Sequence, residues 1–215
     1  MDSSLGFTTN NCRGLATSRI KRLKIFLHLK NEINNLGFIY LQETHSSPAS
    51  AKEFKEDFGK DNTLYLCHGT SNARGVAIGF CGAFNYKVKK EIADPNGRYL
   101  ILHTTLGDKN YILTNIYNEN DEKDQLVLLD EVEKQIDSLG LCLEGDVIMA
   151  GDFNFYFDKK LDATGGNPKT KNKSIAKFLH MKEKYDLVDI WRVRNKNKKS
   201  IHSGRIITQG IYIDV

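Results

Sequence analysis

The sequence predicts a single domain of the α/β or α+β class. Three observations carry this expectation. The chain has 215 residues, enough for one domain with a sizeable core. Short apolar runs of strand length alternate with segments whose apolar residues recur at helical spacing. Each helical segment has one apolar face, so the helices must cover sheets.

A first strand is predicted over 5–11, ended by the turn Arg13-Gly14-Leu15. From Ser18 the apolar residues Ile20, Leu23, Phe26, Leu27 and Ile33 fall at helical spacing, with Arg19, Lys21, Arg22 and Lys24 between them. Gly37 is expected to stop that helix. Residues 38–41 form an apolar run typical of a strand buried on both faces. Ser47 and Pro48 suit the cap and first position of a short helix. Strands over 64–67, 75–80, 86–91, 99–105 and 111–116 are separated by turn signals, among them Gly82, Pro95-Asn96-Gly97 and Gly107-Asp108. Their close spacing predicts antiparallel meanders. A helix then places Leu126, Leu129, Val132, Ile136 and Leu139 on one face, with Asn120 or Asp121 as its cap and Gly140 at its end. Residues 146–150 read as a buried strand, 158–173 as a polar loop, 174–185 as a helix and 187–190 as a last short strand.

The composition is that of an ordinary globular protein, 40% apolar and 27% charged. A net charge of +4 is compatible with a polyanionic partner without demanding one. No apolar run approaches the ~20 residues that span a bilayer, and the N-terminus lacks the pattern of a secretory signal. An intracellular protein, nuclear or cytoplasmic, with no membrane partner is therefore expected. Cys12, Cys67, Cys81 and Cys142 lie far apart without C-x-x-C pairing, which disfavours zinc and points to buried, reduced thiols.

Polar clusters stand at the carboxyl ends of predicted strands, where α/β proteins place reacting groups. They are Asn10-Asn11-Cys12-Arg13-Gly14, Gln42-Glu43-Thr44-His45, Asn115 to Asn120, and Gly151-Asp152-Phe153-Asn154. Singly, each is a good turn sequence. Jointly, carboxylates, amides and a tyrosine on separate strand ends can converge, and such hard oxygen ligands favour Mg²⁺ or Mn²⁺.

These clusters resemble the motifs of the endonuclease/exonuclease/phosphatase superfamily. Leu41-Gln42-Glu43-Thr44-His45 is similar to its L-Q-E-T-[HK] motif and Gly151-Asp152-Phe153-Asn154 to its G-D-[FL]-N motif. Asn115 to Asn120 resembles its strand ending in Y-x-x-N, and Asn11 to Leu15 its opening N-x-x-G-L, all in family order. The run from Ser71 to Ile78 resembles the S-x-x-R-G-V-A-I of endonucleases from non-LTR, LINE-type retrotransposons, and the run from Tyr185 to Arg192 their L-x-D-x-W-R segment. The resemblance covers about residues 5–195. It implies a four-layered α-β-β-α sandwich of the DNase I-like type and a DNA endonuclease, monomeric, with DNA as partner and Mg²⁺ or Mn²⁺ as cofactor.

By that resemblance Glu43 is the principal metal ligand, with Asn11 supporting the metal and the phosphate. Asp152 orients or deprotonates the attacking water, and Asn154 donates to the phosphate or the nucleophile. Tyr117 and Asn120 match the phosphate-contacting pair. A core tyrosine and a helix cap are the alternatives for these two. Arg13 stands where repair-type members often have an acid, so no second metal ligand is expected there. His45 is expected beside the ligands or facing solvent, and Trp191 in the core. Residues 192–199 carry five lysines and arginines and suit backbone phosphates or a solvated loop equally.

The family's closing elements, an [FY]-[ST]-[FW]-R strand, an R-[LI]-D-Y strand and a terminal S-D-H, have no counterpart here. The C-terminal strands are thus expected to be missing, giving an endonuclease domain over 1–200 and an atypical tail over 201–215. His202 and Asp214 lack the motif context of catalytic residues. Residues 201–214 can be encoded by codons that, read two bases later, spell T-F-R-A-N-N-Y-T-G-N-I-Y-R-C, so the tail is expected to be out of frame. Weak or absent nuclease activity follows, and a non-catalytic relic or binding module is the competing expectation.

Overall fold

A computed structural model describes residues 5–70, 72–140, 145–157, 170–194 and 196. The chain runs β1 (Gly6–Asn11), α1 (Arg19–Glu32), β2 (Gly37–Gln42), a 3₁₀ turn (Pro48–Ser50), α2 (Ala51–Phe58), β3 (Thr63–Cys67), β4 (Val76–Cys81), β5 (Tyr86–Ala93), β6 (Tyr99–Leu106), β7 (Lys109–Tyr117), α3 (Glu122–Ser138), β8 (Gly145–Asp152), α4 (Asn172–Lys184) and α5 (Ile190–Arg194). Two four-stranded sheets form, in the orders β1-β2-β4-β3 and β5-β6-β7-β8. Each is mixed: β1 runs parallel to β2 and β7 parallel to β8, and the other pairs are antiparallel.

Three apolar layers separate four structural ones. Phe26, Leu29, Phe54 and Phe58 of α1 and α2 pack on Ile39, Leu41 and Ala77 of the first sheet. Phe38, Tyr40, Ile78 and Phe80 meet Leu100, Leu102, Leu113 and Ile148 between the sheets. Leu128, Leu129, Val132, Phe178 and Met181 of α3 and α4 cover Ile101, Ile112, Ile116 and Met149 on the far face. The alternation of Phe38 and Tyr40 against Ile39 and Leu41 is the side-chain period of a strand covered on both faces. The fold is the expected α-β-β-α sandwich.

The structure corrects several expectations. The first helix stops at Glu32, and the reversal is made by Asn34 and Asn35, whose φ values are 51° and 58°. Gly37 instead opens β2 at φ 133°, where a Cβ would stand 2.0 Å from the Gly6 carbonyl oxygen. On α1 the buried face is Arg22, Phe26 and Leu29, while Ile20 and Leu27 are exposed. The expected strand over 187–190 is absent, and α5 begins at Ile190. The antiparallel meander holds for β5-β6-β7, but β4 and β5 lie in different sheets. Asp121, not Asn120, caps α3, accepting from the Lys123 N–H at 2.9 Å. Most of the polar loop over 158–173, Cys142, the Trp191 side chain, half of the basic stretch 192–199 and the tail over 201–215 lie outside the described residues.

Among the described residues no helix is long and apolar enough to cross a membrane. Cys12, Cys67 and Cys81 are buried, free thiols. Burial pushes Cys12 and Cys67 up to about 12 and Cys81 up to about 11, so thiolate is scarce at neutral pH. In the native protein these three are expected to resist alkylation by iodoacetamide at pH 8. They become reactive in denaturant, as peptide mapping by mass spectrometry would show.

Candidate active site

Strand pairing brings the polar clusters together. In the β1–β2 register Asn11 stands beside Gln42, and in the β7–β8 register Tyr117 stands beside Asp152. Both parallel pairs end at the same edge of the sandwich. The Asn11 amide spans the gap between the sheets there. Its Nδ2 donates to Glu43 Oε1 at 2.8 Å and to Asp152 Oδ2 at 2.9 Å, while its Oδ1 accepts from the Arg13 N–H at 3.1 Å. The Tyr117 hydroxyl lies close enough to Glu43 for that carboxylate to help hold its proton in place.

Beneath this cluster lies a buried amide bridge that the sequence did not reveal. Gln42 Nε2 donates to Asn115 Oδ1 at 2.7 Å, and Asn115 Nδ2 donates to the Leu41 and Ala77 carbonyls at 2.9 and 2.8 Å. Asn115, on β7, thereby ties the second sheet to β2 and β4 one residue below Glu43. The loop after β2 is stitched from both sides. Gly14 N–H donates to Glu43 O, Leu15 N–H to Thr44 O, Thr44 N–H to Gly75 O and His45 N–H to Arg74 O.

The backbone is locally strained. Among the described residues, eight non-glycine residues have positive φ, and five of them, Arg13, Glu43, His45, Arg74 and Asn154, belong to these loops. Two motif glycines have direct steric reasons. A Cβ on Gly14 would stand 2.9 Å from His45 Nδ1, and one on Gly151, at φ 150°, would stand 2.0 Å from the Ile116 carbonyl oxygen. Gly151→Ala is expected to push the end of β8 off β7 and cost about 2–4 kcal/mol, read as a lowered urea midpoint with unchanged m.

The other expected site residues fall as follows. Asn154 takes the Asp152 carboxylate on its backbone N–H at 3.2 Å, and its side chain donates to the Asn118 carbonyl at 2.6 Å. His45 is partly buried, with Nε2 4.0 Å from Glu43 Oε2. Asn120 is exposed beyond the end of β7. Sequence reasoning gave no role to Asn118, which is fully buried between Asp152 and Asn154. It also missed Glu119, which pairs with Arg74 at 2.8 Å across the mouth. Lys171 was likewise missed. Its ammonium donates to the Asn154 carbonyl at 2.7 Å, and burial holds it below the usual lysine range although Asp121, Glu122 and Asp152 lean the other way. A signal existed for Arg74, within the S-x-x-R-G run, but Lys171 sits in a stretch of lysines that spacing cannot separate.

Burial above all pushes the Tyr117 phenol well above its usual range, and the hydrogen bond to Glu43 and the charges of Glu43, Asp152 and Glu119 add to this. The phenol therefore remains a donor at any working pH. The donor set suits a hard cation: two carboxylates, Glu43 and Asp152, share one neutral amide. Among the described residues no three His, Cys, Asp or Glu side chains cluster as a metal cage. A single carboxylate completed by water and phosphate oxygens is how Mg²⁺ is commonly held, so the residues present fit it.

Two stacked mixed sheets, helices on both outer faces and this cluster at one edge define the DNase I-like fold. Solved structures of endonuclease/exonuclease/phosphatase proteins share it. The chain is similar to the AP endonuclease LMAP from Leishmania major, with a TM-score of 0.70 and 14% identity, covering 94% of this chain and 72% of that one. It is similar to an endonuclease/exonuclease/phosphatase family protein from Bacteroides thetaiotaomicron, with a TM-score of 0.59 and 13% identity, covering 84% and 70%. It is also similar to D. rerio TDP2 complexed with single strand DNA product, with a TM-score of 0.54 and 20% identity, covering 74% and 64%. The chain thus spans roughly two thirds of the length of these proteins. At such identities the likeness is one of fold. No protein-family model matches the sequence, and no curated protein matches it.

Proposed function

We propose that this chain is a phosphodiesterase of the endonuclease/exonuclease/phosphatase superfamily that uses Mg²⁺ or Mn²⁺ and acts on DNA as a monomer. The particular reading is an endonuclease of the non-LTR retrotransposon type. The observation that supports it most is the Asn11 amide, shared between Glu43 and Asp152 where both parallel strand pairs end. The S-x-x-R-G-V-A-I and D-x-W-R runs support nucleic acid over other phosphodiesters.

Glu43 would hold the ion, with Asn11 beside it. Bound there, the ion supplies polarisation of the scissile phosphate and stabilises the leaving oxygen. Asp152 accepts a proton from the attacking water, held in place by the Asn154 N–H and the Asn11 amide. Tyr117 offers its hydroxyl to a phosphate oxygen as charge develops, and burial keeps that proton in place. The Asn154 amide has a second N–H to offer beyond the one on Asn118 O. Asn120, on the exposed rim, reaches a neighbouring phosphate.

Nicking of supercoiled plasmid tests this reading. Nicking by this chain is expected to be weak, since the family's closing S-D-H and R-[LI]-D-Y elements have no counterpart in it; it should need Mg²⁺ or Mn²⁺ and vanish with a chelator, and Glu43→Ala and Asp152→Ala should fall to background. Wild type nicking no faster than either variant rejects the enzyme reading. Calorimetric Mn²⁺ titration then shows whether a binding module with an intact metal site is left.

A further inference from the structure

β3 is an edge strand. It pairs with β4 on one side, and among the described residues no other strand takes its second side. A groove of about 280 Å³ touches the consecutive residues 62–66 together with Lys55, His68 and Glu91. Successive side chains of a strand point to opposite faces. A cavity that touches five in a row therefore lies along the strand's edge, not over one face.

The two walls differ in charge. Leu64 and Leu66 face the side covered by α2, which supplies Lys55. Tyr65 and Cys67 face the second sheet, where β5 supplies Glu91. The two ends of β3 are tied to the second sheet's first strand and the turn after it, by a Tyr86 hydroxyl bond to Thr63 Oγ1 at 2.7 Å and by Cys67 Sγ on the Asp94 carbonyl at 3.1 Å. His68 is held below the usual histidine range by burial and then by Lys55, so at neutral pH the groove presents one cation and one anion.

The contrast with β5, one edge of the other sheet, is informative. β5 carries exposed Lys87, Lys89 and Lys90 and a register break between Val88 and Lys90. Charges and bulges of this kind prevent further strand pairing. β3 reads Thr-Leu-Tyr-Leu-Cys, with no charge, no proline and no break in register.

We infer that the free edge of β3 is a docking site for an extended peptide strand of a partner protein. The strand carries an acidic residue facing Lys55 and, next to it, a basic residue facing Glu91. Strand addition supplies main-chain hydrogen bonds, and alternate side chains read the two walls. A second copy of this chain fits less well, because its β3 brings no charge to meet Lys55 or Glu91.

The test uses three blocked eight-residue peptides with Thr and Val ends. Their central four residues alternate Glu and Lys, are all Glu, or are all Lys. Each is titrated into ¹⁵N-labelled full-length protein. The alternating peptide should bind tightest and shift the backbone amides of residues 62–68. Lys55→Glu should weaken it about fivefold and turn the preference to the all-Lys peptide. Binding that ignores peptide charge, amide shifts elsewhere or nowhere, or an undisturbed Lys55→Glu variant overturns the inference. So does a dimer in sedimentation equilibrium that protects the β3 amides from exchange. The readout is binding, so it stands or falls independently of any nuclease activity.

Discussion

Arg22→Ala is expected to lower the stability of this protein by about 3–5 kcal/mol, although it lies on the outermost layer. The Arg22 side chain is only 1% exposed. Its Nη2 and Nε reach Asp57 Oδ2 at 2.5 and 2.8 Å, its Nη1 donates to the Leu15 carbonyl at 3.1 Å, and its guanidinium stacks 4.7 Å from the Phe54 ring centre. Truncation leaves the Asp57 carboxylate buried, with Arg19, itself largely exposed, as its remaining cation at 2.9 Å. Stranding a buried charge is what makes such losses large, whereas replacing both partners with apolar residues is close to neutral. Arg22→Met with Asp57→Leu should therefore recover most of the loss, and urea melts of the three variants check it. The sign of the pH dependence also follows. Burial raises Asp57, but hydrogen bonds and charge from Arg22 and Arg19 outweigh it and hold the carboxyl below its usual range. The pair's contribution is full above the unfolded carboxylate pKa of about 3.9 and is lost as pH falls through the lower folded value. The gap between wild type and Arg22→Ala should narrow in acid and stay constant near neutrality.

Asn115→Leu should cost about 2–4 kcal/mol and weaken any metal-dependent nicking more than a distant variant of equal stability. Leucine keeps the branched outline and the number of side-chain heavy atoms of asparagine, with some extra bulk that adds to the loss. What is lost is a donor to the Leu41 and Ala77 carbonyls and the acceptor for Gln42 Nε2, which keeps only Thr9 Oγ1 at 3.0 Å. These groups lie between the sheets, where water does not replace the missing partner. The same bonds fix the separation of β2 from β7, and with it Glu43 from Tyr117 and Asp152. A variant such as Leu128→Ala, on the buried face of α3, supplies the stability-matched control. Equal nicking by both would show that the amide bridge stabilises the sandwich without positioning the carboxylates.

The sequence carried the layers and most of the convergence, because both rest on local patterns. Apolar runs at 38–41 and 146–150 mark strands covered on two faces, and carboxylates directly after such runs must stand at a sheet edge. Asn11, Glu43, Tyr117 and Asp152 do meet there. What stayed hidden depends on partners distant in sequence. Periodicity chose Ile20, Leu23 and Leu27 for the inner face of α1. The actual face is set by Arg22 finding Asp57 on α2, and Leu27 is left 62% exposed. Gln42 and Asn115 each look like turn residues, and only the docking of two sheets makes them a bridge. Asn120 had cap chemistry and motif position together, yet Asp121 took the cap and left Asn120 at the rim. The short strand expected at 187–190 carries too few residues for its pattern to exclude the start of a helix.

The hydrogen bond from Asn11 to Asp152 joins residues 141 positions apart. It has a consequence for the order in which a newly synthesised chain gains its chemistry. The first sheet is complete in sequence once Cys81 has emerged, before any strand of the second sheet has been made. At that point Glu43 has Asn11 but neither Tyr117 nor Asp152. Until β8 has left the ribosome, the nascent protein has Glu43 and Asn11 without Asp152, the carboxylate proposed above to take the proton from water.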